Sequence, residues 1–422
     1  MNHKLVNSSL RPKTVEHRCV GCGKIHPHSF TTLCACGAMI EVSYPLDGAT
    51  LYPSENSYER YFDLLPLEKP ESLPTERQPI LQAHHATALG KHLGLPHLYL
   101  KDETRLPTRT TKDRMAQVVL SFFREVGVTE FSTSSTGNSS TALARAVRDY
   151  PGCRMYLFTG EDFLSRLNFE ENENVVLFAL RGATFVEAFA EAAEFAKRRR
   201  IPSERGFFNP ARREGLKIAF LEAAESIPRP IDWYVQAVSS AMGVYGTYKG
   251  ARELLAMRRI ARLPRLLCVQ QETCAPMVSA FEAGSEVIRP RDIVERPVGI
   301  ASAILRGDPS RVYPYVRQIV LESEGTFATV REIEIREARK MVEELEGIEP
   351  CFTASSAVAG VVKLARSGRI PSAHTVMINL TGGDRPPQPP ARSVHWLERT
   401  SSGWQPEDTK DFIAQQLWEP IS

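Results

Sequence analysis

The sequence has no long apolar run, no charge excess and no internal repeat, and each absence removes a class of function. A membrane-spanning helix needs about 20 consecutive apolar residues, and no such stretch occurs. Net charge is +2 over 422 residues, which gives no electrostatic case for nucleic acid or a membrane surface as partner. Met1 to Lys13 is polar, without the apolar core of a secretion signal, so a cytoplasmic location is expected. Cysteine is sparse, with 8 residues in all. Four cluster at Cys19, Cys22, Cys34 and Cys36, and Cys153, Cys268, Cys274 and Cys351 stand apart in apolar surroundings. That usage fits reduced thiols better than a disulfide framework. Length and ordinary apolar and charged fractions, 42% and 24%, suit a globular protein of two or three domains with ample core.

What is there centres on Leu106 to Ser140, which holds two polar motifs, Thr110-Thr111-Lys112-Asp113-Arg114 and Ser134-Ser135-Thr136-Gly137-Asn138. Thr110 or Thr111 suits a helix N-cap. Met115, Val118, Val119, Phe122 and Val126 follow at helical spacing, and Gly127 is a stop signal. Lys112 therefore falls in the first turn, where the helix macrodipole disfavours a protonated amine. A neutral amine can form a Schiff base; the plainer alternative is a surface lysine. Glu130 to Ser134 reads as a short buried strand, and Ser139 to Tyr150 as a helix with Leu143, Ala144 and Val147 inward. The loop between them offers backbone amides at a helix N-terminus, which is an anion site. An ordinary strand-to-helix turn is the alternative.

At the N-terminus, Cys19-x-x-Cys22 and Cys34-x-Cys36 are each followed by glycine, at Gly23 and Gly37. Paired cysteines of this kind read as a zinc ribbon with tetrahedral thiolate coordination, structural because no position stays open. Cys34-x-Cys36 is one residue short, so His17, His26 and His28 are substitute ligands, and a ribbon without metal is the alternative. Pro45 to Pro79 reads as a connection running over the next domain, with Tyr61 to Leu67 docked.

Beyond it strands and helices alternate. Ala83 to Leu93 reads as a helix and His97 to Lys101 as a strand. Arg154 to Thr159, Val175 to Leu180, Trp233 to Val238 and Leu266 to Val269 are apolar runs of strand length. Phe185 to Lys197, Arg212 to Ala224, Val244 to Met257, Arg331 to Leu345 and Ala354 to Arg366 read as helices. Such alternation predicts an α/β fold with parallel sheets covered by helices on both faces. A strand ends at Gln236-Ala237-Val238, and Ser239-Ser240-Ala241-Met242-Gly243 leads into a helix. Small residues there let a phosphate approach the amides, unless they serve only packing. His374 to Leu380 is a strand ending in Thr381-Gly382-Gly383-Asp384. A hydroxyl at such a strand end can hydrogen-bond a ring nitrogen, or Thr381 is a satisfied turn residue. Pro386 to Pro390 closes that domain. In the polar tail, Trp396, Trp404 and Trp418 suggest docking.

Together these residues resemble the fold type II pyridoxal-phosphate enzymes (tryptophan synthase β-like), and within them the threonine synthases. The pieces that carry the resemblance are Tyr61-Phe62-Asp63-Leu64-Leu65-Pro66, Tyr99-Leu100-Lys101-Asp102-Glu103, Thr111-Lys112-Asp113-Arg114, Ser135-Thr136-Gly137-Asn138, Val269-Gln270, Glu346-Gly347-Ile348 and Leu380-Thr381-Gly382. The order runs from the cysteine pairs to the Thr-Gly-Gly turn. The resemblance implies two parallel-sheet subdomains and the division 1–45 zinc-ribbon-like segment, 46–79 linker, 80–390 catalytic domain, 391–422 tail. It implies pyridoxal 5'-phosphate as cofactor, with Lys112 bound to its aldehyde, Asn138 facing its phenolic oxygen, Ser239 to Gly243 holding its phosphate and Thr381 facing its ring nitrogen. Ser135, Thr136 and Gly137 would hold the α-carboxylate of an amino-acid substrate. A homodimer is usual for this fold.

Three departures bear on the substrate. The usual Asn-Pro-Thr-Gly-Ser-Phe before the lysine is Leu106-Pro107-Thr108-Arg109-Thr110-Thr111, the usually glycine-rich phosphate turn is Ser239-Ser240-Ala241-Met242-Gly243, and Thr-Pro-Leu after the linker is Gln78-Pro79-Ile80. Arg109 suggests a fork of donors for an anionic group beyond Cβ, unless it pairs with Asp102 or Glu103. Gln236-Ala237-Val238 and Thr381-Gly382-Gly383 also look like the cysteate synthases, which act on O-phosphoserine. The expected reaction is elimination and replacement on a phosphorylated amino acid, O-phosphohomoserine to threonine first and β-replacement on O-phosphoserine second. A catalytically silent scaffold is the reading from another class.

Overall fold

The computed structural model describes residues 9–135, 137–385 and 393–418. Near the N-terminus β1 (Glu16–Cys19), β2 (Ile25–His26) and β3 (Ile40–Ser43) form a small antiparallel sheet in the order β2-β1-β3. The connection that follows carries the short helix α1 (Ser57–Arg60) and buries Tyr58, Tyr61, Phe62, Leu64, Leu65 and Leu67. It is therefore part of the main core, as the aromatic interruption predicted.

The chain then runs β4 (His84–His85), α2 (Thr87–Leu93), β5 (Leu98–Asp102), α3 (Lys112–Glu125), β6 (Glu130–Ser134), α4 (Asn138–Val147), β7 (Arg154–Gly160), β8 (Val175–Leu180), α5 (Phe185–Arg199) and α6 (Pro210–Ser226). Next come β9 (Trp233–Ala237), α7 (Met242–Ala256), β10 (Arg265–Gln271), α8 (Pro276–Glu282), α9 (Tyr313–Glu322), β11 (Thr326–Val330), α10 (Glu332–Glu346), α11 (Phe352–Arg366) and β12 (Val376–Leu380). The chain ends in β13 (His395–Thr400), β14 (Gly403–Pro406) and α12 (Phe412–Trp418).

These strands make two sheets. The larger has the order β11-β10-β9-β12-β5-β4, parallel except for β4, and the smaller β14-β13-β8-β7-β6, parallel except for β14. Strands such as β9 are buried along their whole length, which explains their unbroken apolar runs: helices cover both faces. The two-sheet α/β architecture is the one expected.

Two differences have clear causes. The helix expected from Ala83 starts at Thr87, because His84 and His85 pair with Leu100 and Tyr99 of β5. The segment set apart as a tail from 391 supplies strands instead. His395 to Leu397 pairs in parallel with Phe178 to Leu180, and Trp404 is buried. Its polar residues fall on the outer side of an edge hairpin. Pro386 to Pro390 lies outside the described residues.

Candidate active site

Lys112 is the first residue of α3, and its place is set by a loop stitched to β12. Thr111 N–H donates to the Thr381 carbonyl at 2.9 Å, and Gly383 N–H to the Arg109 carbonyl at 2.9 Å. A Cβ on Gly382 would come within 2.6 Å of that carbonyl, so the contact needs glycine. Asp113 reaches back across the loop, accepting from Thr108 N–H and Thr108 Oγ1, each at 2.7 Å. Thr111 occupies the N-cap position without a side-chain cap bond, and Thr110 Oγ1 accepts from Lys112 N–H at 3.4 Å.

The amine of Lys112 opens on a cavity of about 940 Å³ at the carboxyl ends of β6, β9 and β12, the usual ligand position in α/β sheets. Its pKa is lowered to about 8, first by burial and then by the charge of Arg212, with Glu103 pulling the other way. Burial is the largest cause, where the sequence points to the helix terminus. Three other interior lysines are tied to acids, Lys101 to Glu222 at 2.6 Å, Lys217 to Glu253 at 2.7 Å and Lys249 to Glu214 at 2.9 Å, and Lys13 donates to the Phe62 and Leu65 carbonyls. Among the described residues Lys112 has no ion-pair partner.

The second loop leaves β6 at Ser134 and enters α4 at Asn138. Ser135 Oγ accepts from Gly137 N–H at 3.2 Å, and Gly137 sits at φ 144°, in the region that favours glycine. Ser134, Ser135, Gly137 and Asn138 all line the cavity, and Thr136 lies outside the described residues. The third loop, Ser239 to Gly243, lines it too, and α7 begins within it without a side-chain cap. The first amides of a helix have no intrahelical partner, so this turn presents free donors. Ala241 holds φ 57°, a left-handed backbone unusual for a residue with a side chain. Thr381 completes the lining at the end of β12.

Arg109 does not line the cavity. Its φ of 54° turns it outward. The guanidinium packs where a Cβ on Gly383 would sit and stands 3.9 Å from Glu349. The acid beside it is therefore Glu349, not Asp102 or Glu103. Cations of the cavity wall that sequence reading missed are Arg166, Arg212, Arg296, Arg306 and Arg385. Arg212 is buried, paired with Glu204, and donates to Ser139 Oγ at 3.1 Å. Only its position in the first turn of α6, after the Asn209 cap, offered a signal.

The cysteine cluster lies apart from this cavity. The four Sγ atoms of Cys19, Cys22, Cys34 and Cys36 fall within 4.8 Å of one another, so the short spacing still closes the quartet. His17 and His28 turn away from it: His17 Nε2 meets His28 Nδ1 at 3.1 Å, and His28 Nε2 meets Glu125 Oε1 at 2.7 Å. The ribbon is thereby tied to the far end of α3, and Tyr44 ties it to α6 by donating to Glu214 at 2.6 Å.

A family profile described as pyridoxal-phosphate dependent enzyme matches residues 73–382, which takes in every one of these loops. The chain belongs to that family. It is 28% identical to a threonine synthase of Methanocaldococcus jannaschii over 86% of this chain and 91% of that one. It is 30% identical to a threonine synthase of Methanosarcina acetivorans over 86% and 90%. It is also 26% identical to a cysteate synthase of Methanosarcina barkeri over 87% and 91%. Among solved structures, threonine deaminase isoform 2 of Solanum lycopersicum superposes with a TM-score of 0.59 at 17% identity, over 72% of this chain and 79% of that one. Maize serine racemase gives a TM-score of 0.59 at 17% identity, over 72% and 88%. These two establish fold type II.

The residues present fit the family's cofactor. An amine without a counter-ion suits an aldehyde, the free amides of α7 suit a phosphate, and Ser134 Oγ is a buried polar atom without a partner among the described residues. Pyridoxal phosphate is the cofactor of this enzyme. Among the described residues no helix is long and apolar enough to cross a membrane.

Proposed function

We propose that the enzyme carries out elimination and replacement on a phosphorylated amino acid, with O-phosphohomoserine, water as the nucleophile, and threonine plus phosphate as the first reading. The observation that carries it is the unpaired amine of Lys112 facing a cavity walled by arginines and helix amides. Lys112 would hold the cofactor at its aldehyde, and its free amine would take the proton from Cα. When bound, the cofactor supplies a sink for the electron pair left at that carbon. Asn138 would hold the cofactor at its phenolic oxygen, Ser239 to Gly243 at its phosphate, and Thr381 at its ring nitrogen, which a hydroxyl would leave unprotonated. Ser135, Thr136 and Gly137 orient the α-carboxylate. With O-phosphohomoserine the phosphate sits on Cγ, so a proton leaves Cβ as well as Cα before the phosphate departs with the electrons of its C–O bond; water then adds its hydroxyl at Cβ and releases its proton, and the two protons taken from carbon return to Cγ and Cα. Arginines of the cavity wall such as Arg212 and Arg306, rather than Arg109, are available to that phosphate.

A second reading, β-replacement on O-phosphoserine, is favoured by Gln236-Ala237-Val238 and by the likeness to a cysteate synthase. The silent scaffold is disfavoured by the unpaired Lys112. The cysteine quartet holds one structural zinc, and the enzyme works as a homodimer in the cytoplasm. Borohydride reduction followed by peptide mapping is expected to find the pyridoxyl group on Lys112; label on Lys101 or Lys249 instead would remove the assignment. Phosphate release across phosphorylated and acetylated amino acids then separates the readings, and release from none of them would leave the scaffold.

A further inference from the structure

We infer that Arg385 is a positioning residue, which turns the side-chain amide of Asn138 so that its N–H donors face the cofactor. The inference rests on the proposal that Asn138 faces the phenolic oxygen. Arg385 follows the Thr381–Asp384 turn and lines the same cavity as Lys112 and Asn138. It reaches two other segments: Nη1 donates to the Thr108 carbonyl at 2.8 Å, and Nη2 donates to Asn138 Oδ1.

The polarity of the second bond carries the argument. A guanidinium has donors only. The Asn138 atom it meets must then be the carbonyl oxygen, because the reversed amide would set donor against donor. The orientation of an asparagine amide is fixed only by its hydrogen-bond network, and here Arg385 is that network. The Asn138 amide nitrogen is left with no partner among the described residues. An ionised phenolic oxygen accepts only, so this is the one orientation that serves it.

The charge on Arg385 adds strength. Among the described residues no carboxylate lies within ion-pair distance of it, and Asp113 is occupied by Thr108. Burial lowers the Arg385 pKa, as expected for a cation that meets neutral oxygens only. A charged donor on Oδ1 polarises the amide and strengthens its N–H groups as donors. Arg385 also joins the loop before Lys112 to the first residue of α4, so one side chain fixes both relative to the Thr381 turn.

The test is a double-mutant cycle on cofactor-loaded protein, read by the visible absorbance of the cofactor and by fluorescence titration with pyridoxal phosphate. Asn138→Ala and Arg385→Met should each shift the visible band and weaken cofactor affinity on the order of tenfold. Because one residue acts through the other, the double variant should lose no more than a single one. If Arg385→Met does not fold, Arg385→Gln takes its place in the same cycle. Additive losses overturn the inference, as does an Arg385 variant with the parent band and affinity beside an altered Asn138→Ala. A parent-like Asn138→Ala overturns the placement of Asn138 and this inference with it.

Discussion

The lowered pKa of Lys112 can be read directly in how fast the protein takes up its cofactor. Only the neutral amine attacks an aldehyde. An amine at about 8 is about one-tenth neutral at pH 7, against about one part in 3,000 for an ordinary lysine near 10.5. The difference is roughly 300-fold in reactive species. Lowering a lysine's pKa favours its neutral form, so uptake should rise with pH, bend near pH 8 and level off above it. An ordinary lysine would still be climbing at about pH 10. The measurement is stopped-flow absorbance on mixing cofactor-free protein with pyridoxal phosphate, from about pH 6 to pH 10. A free lysine derivative run in parallel divides out the cofactor's own ionisation. Arg212→Gln should move the bend upward. It removes a cation that lowers the pKa, and it leaves Glu204, otherwise paired to Arg212, as a buried negative charge. Both changes favour the protonated amine. A wild-type bend at or above about pH 10 would refute the burial argument. A bend unmoved in Arg212→Gln would refute the role of Arg212.

Three further outcomes follow from the same coordinates. Freshly purified protein should carry zinc, and Cys19→Ser should lose it and unfold more easily, while the protein that stays folded keeps its visible band; metal analysis without zinc removes the ribbon's metal. Glu222→Ala should cost about 3 kcal/mol or more in urea unfolding, because Lys101 and Arg114 both lean on Glu222 in a fully buried cluster; a loss under about 1 kcal/mol would mean the cluster relaxes. Arg109→Ala should stay within about threefold of the parent in kcat/KM, since its guanidinium faces Gly383 and Glu349. A tenfold fall would restore the substrate contact that its loop position suggested.

How much was legible in advance depended on how local the signal was. The strand Val175–Leu180 matched its apolar run residue for residue, because a strand buried on both faces has nothing else to be. Lys112 fell in a helix first turn because its cap residues and apolar spacing lie within one segment. The strands β4, β13 and β14 were missed: β4 and β14 are short edge strands whose residues, Trp404 apart, are exposed or half-buried, and β13 pairs with β8, far earlier in the chain. Arg212 and Arg385 were missed for a related reason. Each reaches the cavity from the start of a helix or the end of a turn, and what makes it functional is a partner supplied by another loop. Arg109 is the converse case. Its position three residues before Lys112 suggested the substrate side, but its left-handed backbone and the absent side chain of Gly383 draw it the other way.

The turn before α7 shows how the proposed phosphate site can stand with fewer glycines. Small residues at Ser239 to Gly243 suggested room for a phosphate. The glycines that remain make room for protein instead. A Cβ on Gly243 would come within 2.8 Å of the Gln236 side chain, and one on Gly246 within 2.3 Å of the Arg213 carbonyl, where α7 crosses α6. What a phosphate needs from this turn is amide hydrogens, and those belong to the backbone whatever the side chain. Ala241 holds the left-handed conformation that a glycine would adopt without strain, at a cost of about 1–2 kcal/mol. Packing in the surrounding core, where Ala241 is 3% exposed, is what keeps it there. The departure at Ser239-Ser240-Ala241 therefore changes the stability of the turn rather than its donors. A substrate different from that of the relatives has to be sought in the other arginines of the cavity wall instead, such as Arg212 and Arg306.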